Sequence, residues 1–525
     1  MTESRRAVSR RARWLVATRR RLWWITFATL TLFISLWAIG APYFSGPDEA
    51  MHVTRSWSVG HGDVLGENPH YGGFRIVHVP RWLTSPLTDP ACYKLDPQIP
   101  AGCHSLSPDT SDATTETNGA QIPTFYIPTG LPFLVASGGP GLLLARIVGG
   151  AITAAFLASA LLSARRSSAR RWLVPALALA VPPMLLYISA VTNPSGMEIA
   201  AAVSLWLAAI VIATERLTER VVETRLVVRF VVAVAGVMLA RQSGPLWVAI
   251  VLAFAAVLAG RSRIVELARS RSMWLAAGAA AASGIVWAGW TLTAHPFLLE
   301  DNPNGIDAPA REILAAQVGR LWALTQEAVG VFGWLDTRAP FLTYLVWVSA
   351  VVLLVALCAM CARRRTAYLP IVLLVVALVV QTYSEFRSVA ALGYFWQGRY
   401  TLPMLVGVPL LAGFGIGSSG RAPFVATRAA RMGAIAIGVA LFLAYFQFLR
   451  RYVVGATNSL AFWNDPSWSP PVPVPLLLLG SIVAIGAWLL VLAAAAAEDE
   501  GVPKRSESSE SSDASSALEE ERVVA

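Results

Sequence analysis

"LWWITFATLTLFISLWAIGA", residues 22–41, decides the architecture. It carries no charged side chain, and about 20 such residues in one α-helix cross a hydrocarbon core near 30 Å. It resembles a secretory signal, but its apolar core is long and its cleavage site weak, so it reads as an uncleaved anchor. Further apolar runs follow at about 141–163, 172–191, 196–214, 226–242, 244–260, 273–293, 341–362, 366–384, 401–418, 432–449 and 473–496. The whole chain of 525 residues is 55% hydrophobic and only 14% charged, with a mean hydropathy of +0.56. Soluble domains carry roughly 25% charged residues. The expected fold is therefore an all-α, polytopic integral membrane protein of about twelve transmembrane helices.

The charge pattern orients these spans. The net charge of +10 comes from short arginine blocks between apolar runs, which excludes a nucleic-acid-binding reading. "RRSSARR", "ERLTERVVETR", "RSRIVELARSRS", "ARRRT" and "GRAPFVATRAAR" fall on every second connection. Positive-inside bias puts them in the cytoplasm together with the Arg-rich tail 1–21. An even number of spans returns the tail 498–525, acidic and rich in Ser, to the same side, where it is expected to be disordered. The transmembrane domain is then 22–497, in the plasma membrane, with 42–140 as a large first extracytoplasmic loop. "IPTFYIPTGLPFLVA", 122–136, is too short and too interrupted by Pro to span, and reads as re-entrant or interfacial. "EILAAQVGRLWALTQEAVGVFGWL" has helical apolar spacing and suits an interfacial helix.

Immediately after the first span comes "PYFSGPDEAMHVTRSW", 42–57, with Asp48, Glu49, His52 and Arg55 at the membrane boundary. Ser45 can cap a helix beginning near Pro47, and on that helix Asp48, His52 and Arg55 would share one face. Such a face is either a solvated helix start or the seat of a general base, Asp48 or Glu49. Metal binding is a third reading. Asp48, Glu49 and His52 suit a hard divalent cation such as magnesium or manganese, although no tight spacing selects one. "YFWQGRYTLP" sets Gln397, Arg399 and Tyr400 where the chain re-enters the membrane. Its arginine suits either a phosphate-bearing ligand or lipid headgroups. "ARQSGP", with Arg241, allows the same two readings. "TNPSGME", with Asn193 and Glu198, reads as helix capping at a tight turn. In an oxidising compartment Cys92 and Cys103 can bridge, whereas Cys358 and Cys361 in "CAMC" read as apolar filling.

"GPDEAMH" after a span, with a late "QGRY..P", resembles a bacterial family of predicted membrane proteins of no assigned function, over about residues 22–490. That family in turn is similar to the GT-C type of multispanning glycosyltransferases, which take sugars from polyprenyl-phosphate carriers. Their first outer loop carries an acidic motif, one carboxylate of which acts as base or helps place a metal. The resemblance implies Asp48 as base with Glu49 as second choice, and donor phosphate on Arg399, Arg241 and Arg55. Substrate would lie beside His52, Gln397 and Tyr400, and the acceptor would be an envelope glycan, lipid or protein. A transporter or flippase of lipid-linked precursors has the same span count, and a non-enzymatic envelope assembly factor would need no acidic motif. The charges gather at the outer surface rather than mid-span, which favours chemistry at the interface.

Overall fold

The computed structural model describes residues 19–69, 73–88, 91–216, 220–295, 305–420 and 427–497. The first 18 residues, His70 and the acidic tail from 498 lie outside the described residues. The chain runs through α1 (Arg19–Gly40), α2 (Glu49–Gly60), α3 (Gly138–Ala164), α4 (Arg170–Leu179), α5 (Pro183–Ala190), α6 (Pro194–Thr214), α7 (Arg220–Met238), α8 (Gly244–Ala268) and α9 (Arg271–Ala294). It continues through α10 (Ala310–Gly330), α11 (Phe341–Cys361), α12 (Leu369–Leu392), α13 (Gly398–Leu405), α14 (Gly407–Ser419), α15 (Thr427–Val453) and α16 (Val474–Ala496). Among the described residues ten helical segments are long and apolar enough to cross a membrane, or eleven if the bent pair α4–α5 counts as one span. The protein is a polytopic membrane protein with a mostly helical fold.

The count falls short of twelve at the fifth segment. The expected span 226–242 belongs to α7, whose 19 residues include Arg220, Glu223, Arg225 and Arg229. It is too charged to qualify by composition. The third span is broken at "AVPPMLLY": α4 and α5 meet at 58°. Pro182 and Pro183 bring no N–H to continue a helical ladder, and Pro183 instead opens α5. α6 starts on a local cap, with Asn193 Oδ1 accepting from Ser195 N at 2.9 Å and Pro194 in the first turn.

The first loop departs from the all-α expectation. Strands β1 (Glu67–Pro69), β2 (Arg75–Pro80) and β3 (Asp112–Thr117) form an antiparallel sheet in the order β1-β2-β3, with Val77 opposite Thr115 and Val79 opposite Ala113. Val77 and Val79 point inward against Ala50 and Val53 of α2 and against Phe133. Thr117 Oγ1 donates to Met51 O at 2.9 Å. Cys92 and Cys103 are joined by a disulfide, and next to it Tyr93 donates to Tyr43 O at 2.6 Å. Segment 122–136 forms the short helix Tyr126–Gly130 and a 3₁₀ turn, Leu131–Leu134, with Tyr126 and Phe133 buried and Ile127, Leu131, Leu134 and Val135 exposed. That division suits an interfacial element. The loop is thus a small α/β unit seated on one end of the bundle.

The first three arginine-bearing connections meet at the other end. Ser168 N donates to Glu215 Oε1 at 2.6 Å, Arg263 to Glu215 O at 2.7 Å, and Ser270 Oγ to Glu223 at 3.2 Å. The 27-residue α3 separates the two ends by about 40 Å. Between them α6 is buried along its length, and Trp37, Tyr187, Phe332, Tyr445 and Phe448 stack into one aromatic core. Lipid-facing helices such as α9 keep Trp274, Leu275, Ile285 and Leu292 exposed.

Candidate functional site

The acidic motif divides at the start of α2. The helix begins at Glu49 rather than near Pro47, and Ser45 does not cap it: Ser45 Oγ is buried without a partner. Asp48 stands just before the first turn in the left-handed region, at φ 61° and ψ 7°. Asp tolerates that region better than most side chains. Leaving the helix there frees Asp48 from the helical face and turns its carboxylate towards α13. Arg399 Nη2 donates to Asp48 Oδ2 at 3.1 Å, joining residues 351 positions apart. Asp48 remains half exposed, whereas Arg399 is completely buried.

Arg399 is held by the loop that enters α13. Gly398 lies so close to α10 that a Cβ would run into the carbonyl of Leu324. Its N–H donates to Glu327 Oε2 at 2.7 Å. Arg320 of α10 donates to Glu385 at 3.2 Å and to Trp396 O at 2.9 Å, and Glu385 accepts from Trp396 N at 3.0 Å. At the far end of α13, Trp206 of α6 donates to Pro403 O at 3.1 Å. Burial raises the Glu327 carboxyl above the ordinary range, against the pull of the Gly398 N–H and the guanidiniums of Arg320 and Arg399. So fixed, Arg399 keeps two buried N–H groups, Nε and Nη1, that no protein atom accepts. Gln397 Oε1 is buried and unpartnered beside it in sequence.

Three further groups close the cluster. The guanidiniums of Arg241 and Arg399 lie 5.1 Å and 5.2 Å from the centre of the Tyr400 ring. Arg241 donates to Ser195 Oγ at 2.6 Å. Next to it, Glu198 accepts from Ser243 Oγ at 2.9 Å and Trp247 Nε1 at 2.8 Å. His52 Nδ1 pairs with the Tyr126 Oη at 2.8 Å. Burial lowers the His52 pKa to about 3, with Asp48 opposing and Arg241 and Arg399 reinforcing the fall, so the imidazole is neutral at pH 7. Burial raises the Tyr126 hydroxyl well above the usual phenol range.

Of the expected residues, Asp48, His52, Arg241, Arg399 and Tyr400 therefore converge. Arg55 lies at the edge of this cluster, its guanidinium 5.8 Å from the centre of the Tyr126 ring and its Nε and Nη1 buried without an acceptor. It turns beneath the loop unit and donates to Val64 O at 2.5 Å and Gln121 O at 3.3 Å. The shared face expected for Asp48, His52 and Arg55 fails because α2 starts one residue after Asp48. Glu49 also points elsewhere. It makes a two-pronged pair with Arg146 of α3, at 2.7 and 2.8 Å. Among the described residues no three His, Cys, Asp or Glu side chains converge as metal ligands. Glu49 is committed to Arg146, His52 Nδ1 to Tyr126 and Asp48 Oδ2 to Arg399, so this donor set does not fit a divalent cation.

Arg146, Tyr126 and Glu327 were not singled out from the sequence. Arg146 had a signal, because an arginine inside an apolar run needs a specific partner. Arg451, at the end of α15, is a similar case. It is buried and donates to Asp336 at 3.2 Å and to the carbonyls of Tyr93, Asp96 and Ile99. Tyr126 and Glu327 had no local signal. No curated protein and no solved structure matches the chain. A family model, described as a predicted membrane protein, matches residues 30–408, which include both Asp48 and Arg399, and the chain belongs to this family, DUF2142.

Proposed function

We propose that the protein is a membrane glycosyltransferase of the GT-C type, moving a sugar from a polyprenyl-phosphate donor to a hydroxyl of an envelope glycan, lipid or protein. The Asp48 end of the bundle faces the extracytoplasmic side of a bacterial plasma membrane in this reading. One observation carries it: Arg399 is buried, spends one N–H on Asp48, and holds Nε and Nη1 without a protein acceptor. Donors left unpaired in a buried site cost on the order of 1–3 kcal/mol each unless a ligand or water meets them. A phosphate meets a guanidinium fork with two oxygens.

The chemistry follows from the same atoms. The acceptor hydroxyl attacks the anomeric carbon as the bond from that carbon to the phosphate oxygen breaks. Asp48 takes the hydroxyl proton, and the electron pair leaves with the polyprenyl phosphate. Arg399 and Arg241 stabilise the charge gathering on that phosphate, an effect strengthened where water is excluded. Neutral His52, tied to Tyr126, shapes the wall beside Asp48 without adding a charge. No step is routed through a metal. Purified protein given a radiolabelled polyprenyl-phosphate sugar should transfer label to an envelope acceptor, and Arg399→Ala should raise the donor KM by about tenfold or more. An unchanged donor dependence would return Arg399 to a structural role.

The break between α4 and α5 favours a second reading, a transporter or flippase of lipid-linked precursors. Protein-dependent movement of such a lipid across liposomes, without transfer of its sugar, would select it.

A further inference from the structure

A separate groove lies at the end of the bundle far from Asp48. α8 is not continuous: Gly260 adopts φ 67° and ψ 171°, so residues 261–268 turn away from the axis of the preceding span. Only glycine fits readily, both for that φ and because a Cβ would stand 2.7 Å from Arg365 Nη1. Arg263 then clamps the turned segment to the end of α6, donating to Ile212 O at 3.1 Å and Glu215 O at 2.7 Å. The bend leaves a groove of about 340 Å³ whose floor includes Ala209 and Phe230 and whose sides include Ala256, Ile264, Leu267 and Trp274. Ile264 and Trp274 are 44% and 68% exposed, so the groove opens sideways from the bundle. An apolar space of this kind offers water no hydrogen-bond partners.

Its rim is basic. Arg261, Arg269 and Arg271 flank the lining residues in sequence and are exposed. Arg263, by contrast, is taken up by Glu266 and by backbone carbonyls. We infer that this groove holds one acyl chain of an anionic phospholipid, with the headgroup phosphate on the rim arginines. Groove and rim complement the two parts of that molecule: apolar volume for the chain, guanidinium for the phosphate. The inference is independent of the chemistry proposed at Asp48.

The full-length protein, purified and mixed with phosphatidylglycerol or phosphatidylcholine of matched chains, tests it by native mass spectrometry. Phosphatidylglycerol should be retained preferentially at one site. The double variant Arg269→Gln/Arg271→Gln should weaken its retention by on the order of 30-fold, at about fivefold per arginine, and that of phosphatidylcholine, whose choline cation offsets its phosphate, much less. Ala256→Phe, at an exposed lining position, should fill the groove and release both lipids while the arginines remain. Inorganic phosphate should not displace the bound lipid. Equal retention of the two lipids by the wild type would overturn the assignment, as would wild-type retention by Ala256→Phe.

Discussion

Asp48 and Glu49 are neighbours in sequence, both pair with an arginine, and the two pairs are built for different work. Arg146 spends Nε and Nη2 on Glu49, and its remaining donors on the carbonyls of Ala38, Ala41 and Pro42. Glu49 also accepts from Gly46 N and Thr192 N at 3.2 Å each. That pair is closed: its side chains are 1% and 0% exposed, and it locks the end of α1, the start of α2, α3 and the α5–α6 turn together. Asp48 is 47% exposed, and its arginine keeps two N–H groups unmatched. Complete satisfaction marks a structural ion pair, whereas unspent donors beside an accessible carboxylate mark a place for a ligand.

Five substitutions would break or sharpen that contrast. The largest effect is expected from Asp48→Asn, which should lower transfer by about 10²–10⁴ while leaving membrane insertion unchanged, since it removes the base but keeps a side-chain oxygen facing Arg399. If Glu49→Gln lost transfer instead and folded normally, the two carboxylates would exchange roles. Next is Arg146→Leu, which strands Glu49 and should destabilise the fold by about 3–5 kcal/mol, seen as loss of monodisperse protein in detergent. Third, Glu327→Gln should leave the fold intact and raise the donor KM by about fivefold, because the carboxylate positions the Gly398–Arg399 backbone; a change in kcat alone would contradict that positioning role.

The last effect is confined to acid pH and concerns His52. Its folded pKa lies near 3, below the ordinary 6.5, so between those values the unfolded chain takes up a proton that the native imidazole refuses. Stability therefore falls as pH drops from about 6.5 towards 3, and is unaffected by this group above that window. His52→Gln should flatten the decline, with a difference of about 2 kcal/mol at pH 5 in thermal unfolding. Parallel curves for the two proteins would mean that His52 takes up its proton in the native state as well.

Much of the bundle was legible because lipid imposes one rule: backbone groups must bond within the segment, so spans announce themselves as long apolar runs. The rule weakens where other forces compete. α7 carries four charged residues and drops below any composition threshold. The sheet in the first loop is harder to read: "RIVHVP" alternates inward Val77 and Val79 with outward Ile76 and His78, but the run is short and set among turn residues and prolines. At the site, chemistry-bearing residue types could be noticed one at a time. Nothing local said that Glu49 would be consumed by Arg146, or that Arg55 would turn under the loop.

The linear chain alone determined that this is a membrane protein, roughly how often it crosses, and which polar motifs crowd the connections, since those depend on length, apolarity and local charge. Only the tertiary structure decided that Asp48 meets Arg399 across 351 residues, that Arg241 and Tyr126 join them, and that the adjacent carboxylate is sealed away. Those outcomes depend on a left-handed residue before α2, a glycine pressed against α10 and the direction of individual side chains, and such geometry emerges only when distant segments pack.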